Sequence, residues 1–83
     1  MWKEQNDQLT RNFQFADFTT AWAFMTQVAF AADKMDHHPT WSNVYNKVEI
    51  ALFTHDKNNS VTEKDRKLSQ KIDKIYAGYA ENA

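Results

Sequence analysis

The segment DKMDHHPTW, residues 33–41, places two adjacent histidines before the only proline of the chain, with two aspartates just upstream. A third histidine, His55, completes the set. Histidine is the side chain whose ordinary pKa, about 6.5, lies near neutrality, so two imidazoles can serve as general acid and general base. Asp33, Asp36, Asp56 and Asp65 are carboxylates of the kind that orient imidazoles in acid–base sites. The alternative for each histidine is a wet, inert loop residue. Three histidines and a carboxylate would also suit zinc. Adjacent histidines rarely point the same way, however, and the chain has no H-x-x-x-H or H-E-x-x-H spacing, so no metal site is expected. Nucleophilic catalysis lacks a cysteine and a serine elbow. A glycine-rich phosphate loop is excluded, because the only glycine is Gly78.

The elements that must hold these residues can be read from periodicity. Residues 8–15, QLTRNFQF, alternate as a half-buried strand, with Leu9, Phe13 and Phe15 on one face. Arg11 shares that face; its stem is expected along the core and its head in water. Trp2–Gln5 suits a preceding short strand, with Asn6-Asp7 as the turn. Asp17 is a helix N-cap, and residues 18–35 follow the helical period. Phe18, Trp22, Met25, Val28, Ala29 and Ala32 form the predicted stripe, with Phe24 and Phe30 off its centre. The stripe is wide, so cover on more than one side is expected, and Ala21, Ala29 and Ala32 permit close approach to a sheet.

Pro39 disfavours helical geometry at His38 and ends the helix. Residues 43–53, NVYNKVEIALF, read as the clearest strand, with Val44, Val48, Ile50 and Leu52 on one face. Tyr45, Lys47, Glu49 and Phe53 take the other. A further edge strand over residues 40–44 is the alternative. THDKNNS is a turn. SVTE, residues 60–63, and TEKD, residues 62–65, both have capping-box spacing. Leu68, Ile72, Ile75, Tyr76 and Tyr79 line a final helix whose end suits Gly78. The predicted class is α+β: a small antiparallel β-sheet of three to four strands with α-helices packed on one face. A straight strand over 43–53 would hold its ends roughly 30 Å apart, so His37 and His38 meet His55 only if the chain bends back.

The chain has 83 residues, which bounds it to a single domain over 1–83. So short a chain is marginal as a monomer, which twelve aromatic residues and an expected homo-oligomer would offset. A net charge of −1 leaves no basic excess for phosphates, which argues against nucleic acid as a partner. The segment MWKEQNDQLTRNF has no apolar core of signal-peptide length, and no stretch approaches a membrane span; the expectation is a cytoplasmic protein without a membrane partner.

DKMDHHPTWSNVYNKVEIALFTHD followed by TEKD resembles the pterin-4a-carbinolamine dehydratase family. The shared pattern is an acid at Asp33, then His37-His38-Pro39, Tyr45-Asn46-Lys47-Val48, Thr54-His55 and Thr62-Glu63-Lys64-Asp65. The stretch LTRNFQFADFTTAWAFMTQVAFAAD is similar to the family's strand and first long helix, so the resemblance covers nearly the whole chain. Three departures stand out. Asp33 occupies a position where Glu is more familiar. The turn DKNNSV lacks the glycines usual after this histidine and is one residue longer. The first strand lies close to the start of the sequence, where family members often carry another helix.

The resemblance implies dehydration of a 4a-hydroxytetrahydropterin, left by aromatic amino acid hydroxylases, to the quinonoid dihydropterin. No metal, no redox cofactor and no covalent intermediate is implied. It assigns His37 and His55 as the acid–base groups, His38 as a pterin-positioning residue, and Asp65 as the group that orients a histidine. Asp33, Asp36, Thr54 and Asp56 become candidate polar contacts to the ring. Pro39 fixes the loop and Trp41 walls the pocket; core packing is the alternative for Trp41, and helix-dipole stabilisation for Asp65. The implied partners are the pterin, a homodimer or homotetramer, and a functional link to a hydroxylase. Family members also double as dimerisation partners of transcription factors. Leu68, Ile72, Ile75 and Tyr79 would then be the relevant surface, with packing on the sheet as the alternative.

Overall fold

The computed structural model describes residues 1–80. The chain order is β1 (Lys3–Gln5), β2 (Gln8–Gln14), α1 (Phe18–Met35), β3 (Thr40–Val44), β4 (Lys47–Leu52), a 3-10 turn (His55–Lys57) and α2 (Glu63–Ala80). The strands form one antiparallel sheet in the order β1-β2-β4-β3. This is the α+β arrangement the sequence predicts.

The β1–β2 reversal uses Asn6 and Asp7, both with positive φ, which suits a two-residue hairpin loop. The second hairpin departs from the sequence reading. Residues 43–53 are not one strand, because Tyr45 turns at φ 51 and Val44 pairs with Lys47. Asparagines hold this turn: Asn43 Nδ2 donates to the carbonyls of Tyr45 and Lys47, and Asn46 Nδ2 donates to Phe15 O. Reversal also changes side-chain parity. Val44 shares a face with Lys47 instead of Val48, and is 73% exposed where Val48 is 1% exposed.

The core lies between one face of the sheet and the two helices. β2 and its end contribute Leu9, Phe13 and Phe15, and β4 contributes Val48, Ile50 and Leu52. From the helices come Ala21, Phe24, Met25, Val28 and Ala32 of α1, with Leu68 and Ile72 of α2. The buried face of α1 is thus rotated from the predicted stripe. Phe24 is fully buried, whereas Phe18, Trp22 and Ala29 are exposed. The cause is α2. Phe24 packs on Phe13 and Phe15 of the sheet, with centroids at 5.0 and 4.9 Å, and on Tyr76 and Tyr79 of α2 at 5.8 and 6.0 Å. Apolar residues surround α1, so which of them are covered depends on where the second helix lies.

Two further expectations are corrected. The Arg11 head is not in water: its guanidinium stacks on Phe13 and Tyr76, and Nη1 lies 2.7 Å from Asp73 of α2. Trp2 Nε1 donates to the same carboxylate oxygen, so the residue before β1, strand β2 and α2 are tied at one point. Gly78 does not end α2, which continues through it to Ala80.

Asp17 caps α1 as predicted, accepting the Thr20 N–H at 2.8 Å. Hydrogen bonds from the Thr20 side chain and backbone hold its carboxyl below the ordinary value of 3.8. A depressed folded-state value stabilises the protein above the unfolded value, and that contribution disappears as pH falls through the folded one. Thermal melts are expected to show Asp17→Ala below wild type by a constant gap from neutral pH to about pH 5, closing on further acidification. A gap unchanged at pH 2 would contradict this cap.

Candidate active site

The end of α1 aims the first histidine inward. Asp36 adopts the left-handed conformation at φ 51, its N–H reaches back to Asp33 O, and the His37 N–H reaches Ala32 O. This is the Schellman pattern, built here without glycine. It turns the chain so that His37 is buried at 8% exposure while His38 stays exposed. Pro39 then leads into β3.

The β3–β4 hairpin brings the far histidine back. Thr40 lies opposite Ala51, and the same register continued outward sets the His37-His38 segment beside Phe53-Thr54. The separation expected of a straight strand therefore does not occur. His55 begins the 3-10 turn, its ring edge-on to Phe53 at 4.8 Å. The glycine-free stretch DKNNSV reverses direction through Asn58 and Asn59, both at positive φ, a region asparagine tolerates. Thr54 and Ser60 bridge the base of this loop.

The third component is the start of α2. Of the two possible capping boxes, one half of the second forms: the Asp65 carboxylate accepts the Thr62 N–H at 2.8 Å, while the Asp65 N–H goes to the Thr62 carbonyl. Asp65 is fully buried, and its other oxygen lies 2.5 Å from His37 Nε2. Thr54 Oγ1 donates to Asp65 Oδ2 at 2.8 Å. Asp65 thus accepts an N–H at the start of α2 and lies against one histidine, His37.

His37, His38 and His55 face one cleft of about 480 Å³, together with Asp36, Pro39, Thr40, Phe53, Thr54, Asp56 and Lys64. Asp33 and Trp41 line an adjoining groove with Ala29, Phe30 and Ala32, which shares His38 and Pro39 with the cleft. Asp33 Oδ1 lies 3.4 Å from His38 Nε2 in an exposed pair, and Trp41 is half-buried against the core. A depression of similar volume, about 490 Å³, on the polar sheet face contains no imidazole, so chemistry favours the histidine cleft. Sequence reasoning passed over Thr40, Phe53, Thr62 and Lys64. Thr62 and Lys64 lie inside TEKD, a helix start and part of the family pattern, in which only Asp65 has an expected role in the site.

Such a cleft can exchange protons through paired imidazoles, one of them fixed by a buried carboxylate. Fold and site thus define a small α+β protein with a histidine-lined cleft. The family model described as Pterin 4 alpha carbinolamine dehydratase matches residues 1–75, and the chain belongs to that family. A provisionally named pterin-4-alpha-carbinolamine dehydratase of Paraburkholderia xenovorans is 56% identical over 71 residues, covering 86% of this chain and 73% of the relative. One of the same provisional name from Brucella ovis is 49% identical over 69 residues, covering 83% and 70%. A crystal structure described as a transcriptional coactivator/pterin dehydratase from Brucella melitensis superposes with a TM-score of 0.85 at 46% identity, covering 89% of this chain and 80% of that one. A pterin dehydratase-like protein described as a RuBisCO assembly factor in the alpha-carboxysome shares the fold, with a TM-score of 0.73 at 18% identity and coverage of 90% and 86%.

No described helix is long and apolar enough to cross a membrane. Leu68 and Ile72, considered for a partner surface, are fully buried in the core, and Ile75 and Tyr79 pack partly buried against it. The exposed large apolar side chains of α1 are instead Phe18, Trp22 and Phe30.

Proposed function

We propose that the cleft dehydrates a 4a-hydroxytetrahydropterin to the quinonoid dihydropterin. A base removes the N5 proton, the C4a–N5 double bond forms, and an acid protonates the departing 4a-hydroxyl, which leaves as water. Electrons and protons balance without an external reductant or metal. His37 and His55 are the acid–base pair. His38 positions the pterin, Asp65 orients His37, and Asp36 and Asp56 supply polar contacts to the ring, with Pro39 fixing the loop; the Thr54 hydroxyl, buried and already bonded to Asp65 and Thr62, is not free for the ring contact expected of it. Asp33 and Trp41 act from the adjoining groove, on a part of the substrate that extends past His38. The observation that carries this reading is His37 seated on buried Asp65 in the same cleft as His38 and His55. Family membership supports the substrate class, and the substrate would come from an aromatic amino acid hydroxylase.

A second reading, a non-catalytic interaction module, is favoured by Phe18, Trp22 and Phe30, which are 47%, 56% and 68% exposed on α1. Phe18 and Trp22 stack at 6.3 Å and so present one apolar surface. The deciding measurement is the decay of a 4a-hydroxytetrahydropterin generated in place by a hydroxylase, with and without this protein. Accelerated decay is expected. An unchanged rate with folded protein would overturn the enzymatic reading and leave the module.

A further inference from the structure

The hydroxyl protons around Asp65 can be assigned one by one. Thr54 Oγ1 is 2.8 Å from Asp65 Oδ2 and 2.7 Å from Thr62 Oγ1. Thr62 Oγ1 itself is 3.5 Å from Asp65 Oδ2, too long to compete. An ionised carboxylate only accepts, and each threonine hydroxyl has one proton. Thr54 must therefore give its proton to Asp65, and Thr62 must give its own to Thr54. The Thr62 N–H, 2.8 Å away, is the second donor to Oδ2. With Oδ2 occupied, Oδ1 faces His37 Nε2 at 2.5 Å, and that nitrogen carries the proton. Among the described residues, His37 Nδ1 has no hydrogen-bond partner. It is not sealed in, because Arg11 Nε is the single buried, unpartnered side-chain nitrogen or oxygen among the described residues. Since His37 lines the cleft, Nδ1 is the ring nitrogen open to it.

We infer that Thr54 and Thr62 are positioning residues that act through Asp65 to hold His37 as the Nε2–H tautomer, leaving Nδ1 to exchange the proton in the cleft. Thr54 also immediately precedes His55. One carboxylate therefore holds both the ring of His37 and the base of the segment carrying His55, and a disturbance of either reaches the other. The kinetic part of this inference rests on the proposed dehydration; the tautomer does not.

The test is a long-range ¹H–¹⁵N spectrum of the full chain labelled at histidine, recorded where the ring is neutral, paired with dehydration kinetics. Wild type is expected to show a pyrrole-type Nε2 and a pyridine-type Nδ1 for His37. Thr54→Val is expected to mix the tautomers and lower kcat about tenfold or more with KM little changed. Thr54→Ser, which keeps the donor, is expected to restore both. Thr62→Val is the second variant, checked for folding by circular dichroism, and is expected to change the spectrum in the same direction. A wild-type Nδ1–H tautomer would overturn the assignment without any variant. So would a folded Thr54→Val or Thr62→Val with wild-type spectrum and kcat. If wild type proves inactive while Thr54→Val still shifts the tautomer, the dehydration reading has failed and the relay stands.

Discussion

His37→Gln is expected to lower the dehydration rate by about 10²–10⁴ while the chain stays folded. The range is the usual contribution of one positioned acid–base group. Glutamine is chosen because its amide can donate to Asp65 as Nε2 does, but it cannot take and return a proton. The simpler His37→Ala variant is less clean. A histidine in a Pro-terminated loop looks dispensable for folding, but His37 is 8% exposed and bonded to Asp65. Alanine would leave that buried carboxylate oxygen without its donor, at a cost of about 1–3 kcal/mol. His55, exposed on its 3-10 turn, offers the complementary control. His55→Ala should melt with wild type and still lose most of the rate. Single-turnover decay of the hydroxypterin measures both variants. A folded His37→Gln within threefold of wild type would remove His37 from the acid–base role.

Asp65→Ala should be among the most destabilising single changes in the molecule, costing about 3 kcal/mol. The side chain is fully buried and accepts from His37, Thr54 and the Thr62 N–H, so its removal strands three polar groups at once. Three elements would loosen together: the exit of α1, the segment entering the 3-10 turn, and the first turn of α2. A domain this small has total stability on the order of 4–12 kcal/mol, so the loss is a large fraction of it. The melting temperature should fall by roughly 10–20 °C, which calorimetry would read directly. Contrast with Asp17 makes the point about burial, since that exposed cap should produce a small, pH-dependent change. A melting point within about 3 °C of wild type would mean that the four-residue network contributes little to the fold.

The residues of the candidate site are legible in the sequence because their types are rare and their spacing dense. Asp33, Asp36, His37, His38, His55, Asp56 and Asp65 were all singled out from a chain with three histidines and one proline. Partition among them was not legible. His37 and His38 are adjacent and chemically identical, yet one is sealed on Asp65 and the other stands in solvent. The left-handed Asp36 decides which is which; aspartate tolerates that conformation, but its residue type does not require it. The threonine relay was missed for a similar reason: Thr54 and Thr62 become partners only when a strand end and a helix start are brought side by side.

Local information, acting over a few residues, was enough for the elements and their class. Alternation marked β2, the helical period and Asp17 marked α1, and the TEKD box marked the start of α2. Local information failed where two readings cost the same locally. Val48, Ile50 and Leu52 share one face in either reading, and only Val44 changes face between a straight strand and a two-residue reversal. The reversal wins because Asn46 can stitch it to Phe15, a partner distant in sequence. Likewise α1 is apolar on several sides, and only the position of α2 buries Phe24 and leaves Trp22 exposed. The sequence alone thus determined which side chains are available for proton transfer. The tertiary structure decided that they share a cleft, because the hairpin folds His55 back toward His37 and a single buried carboxylate can satisfy donors from three segments only when all three meet.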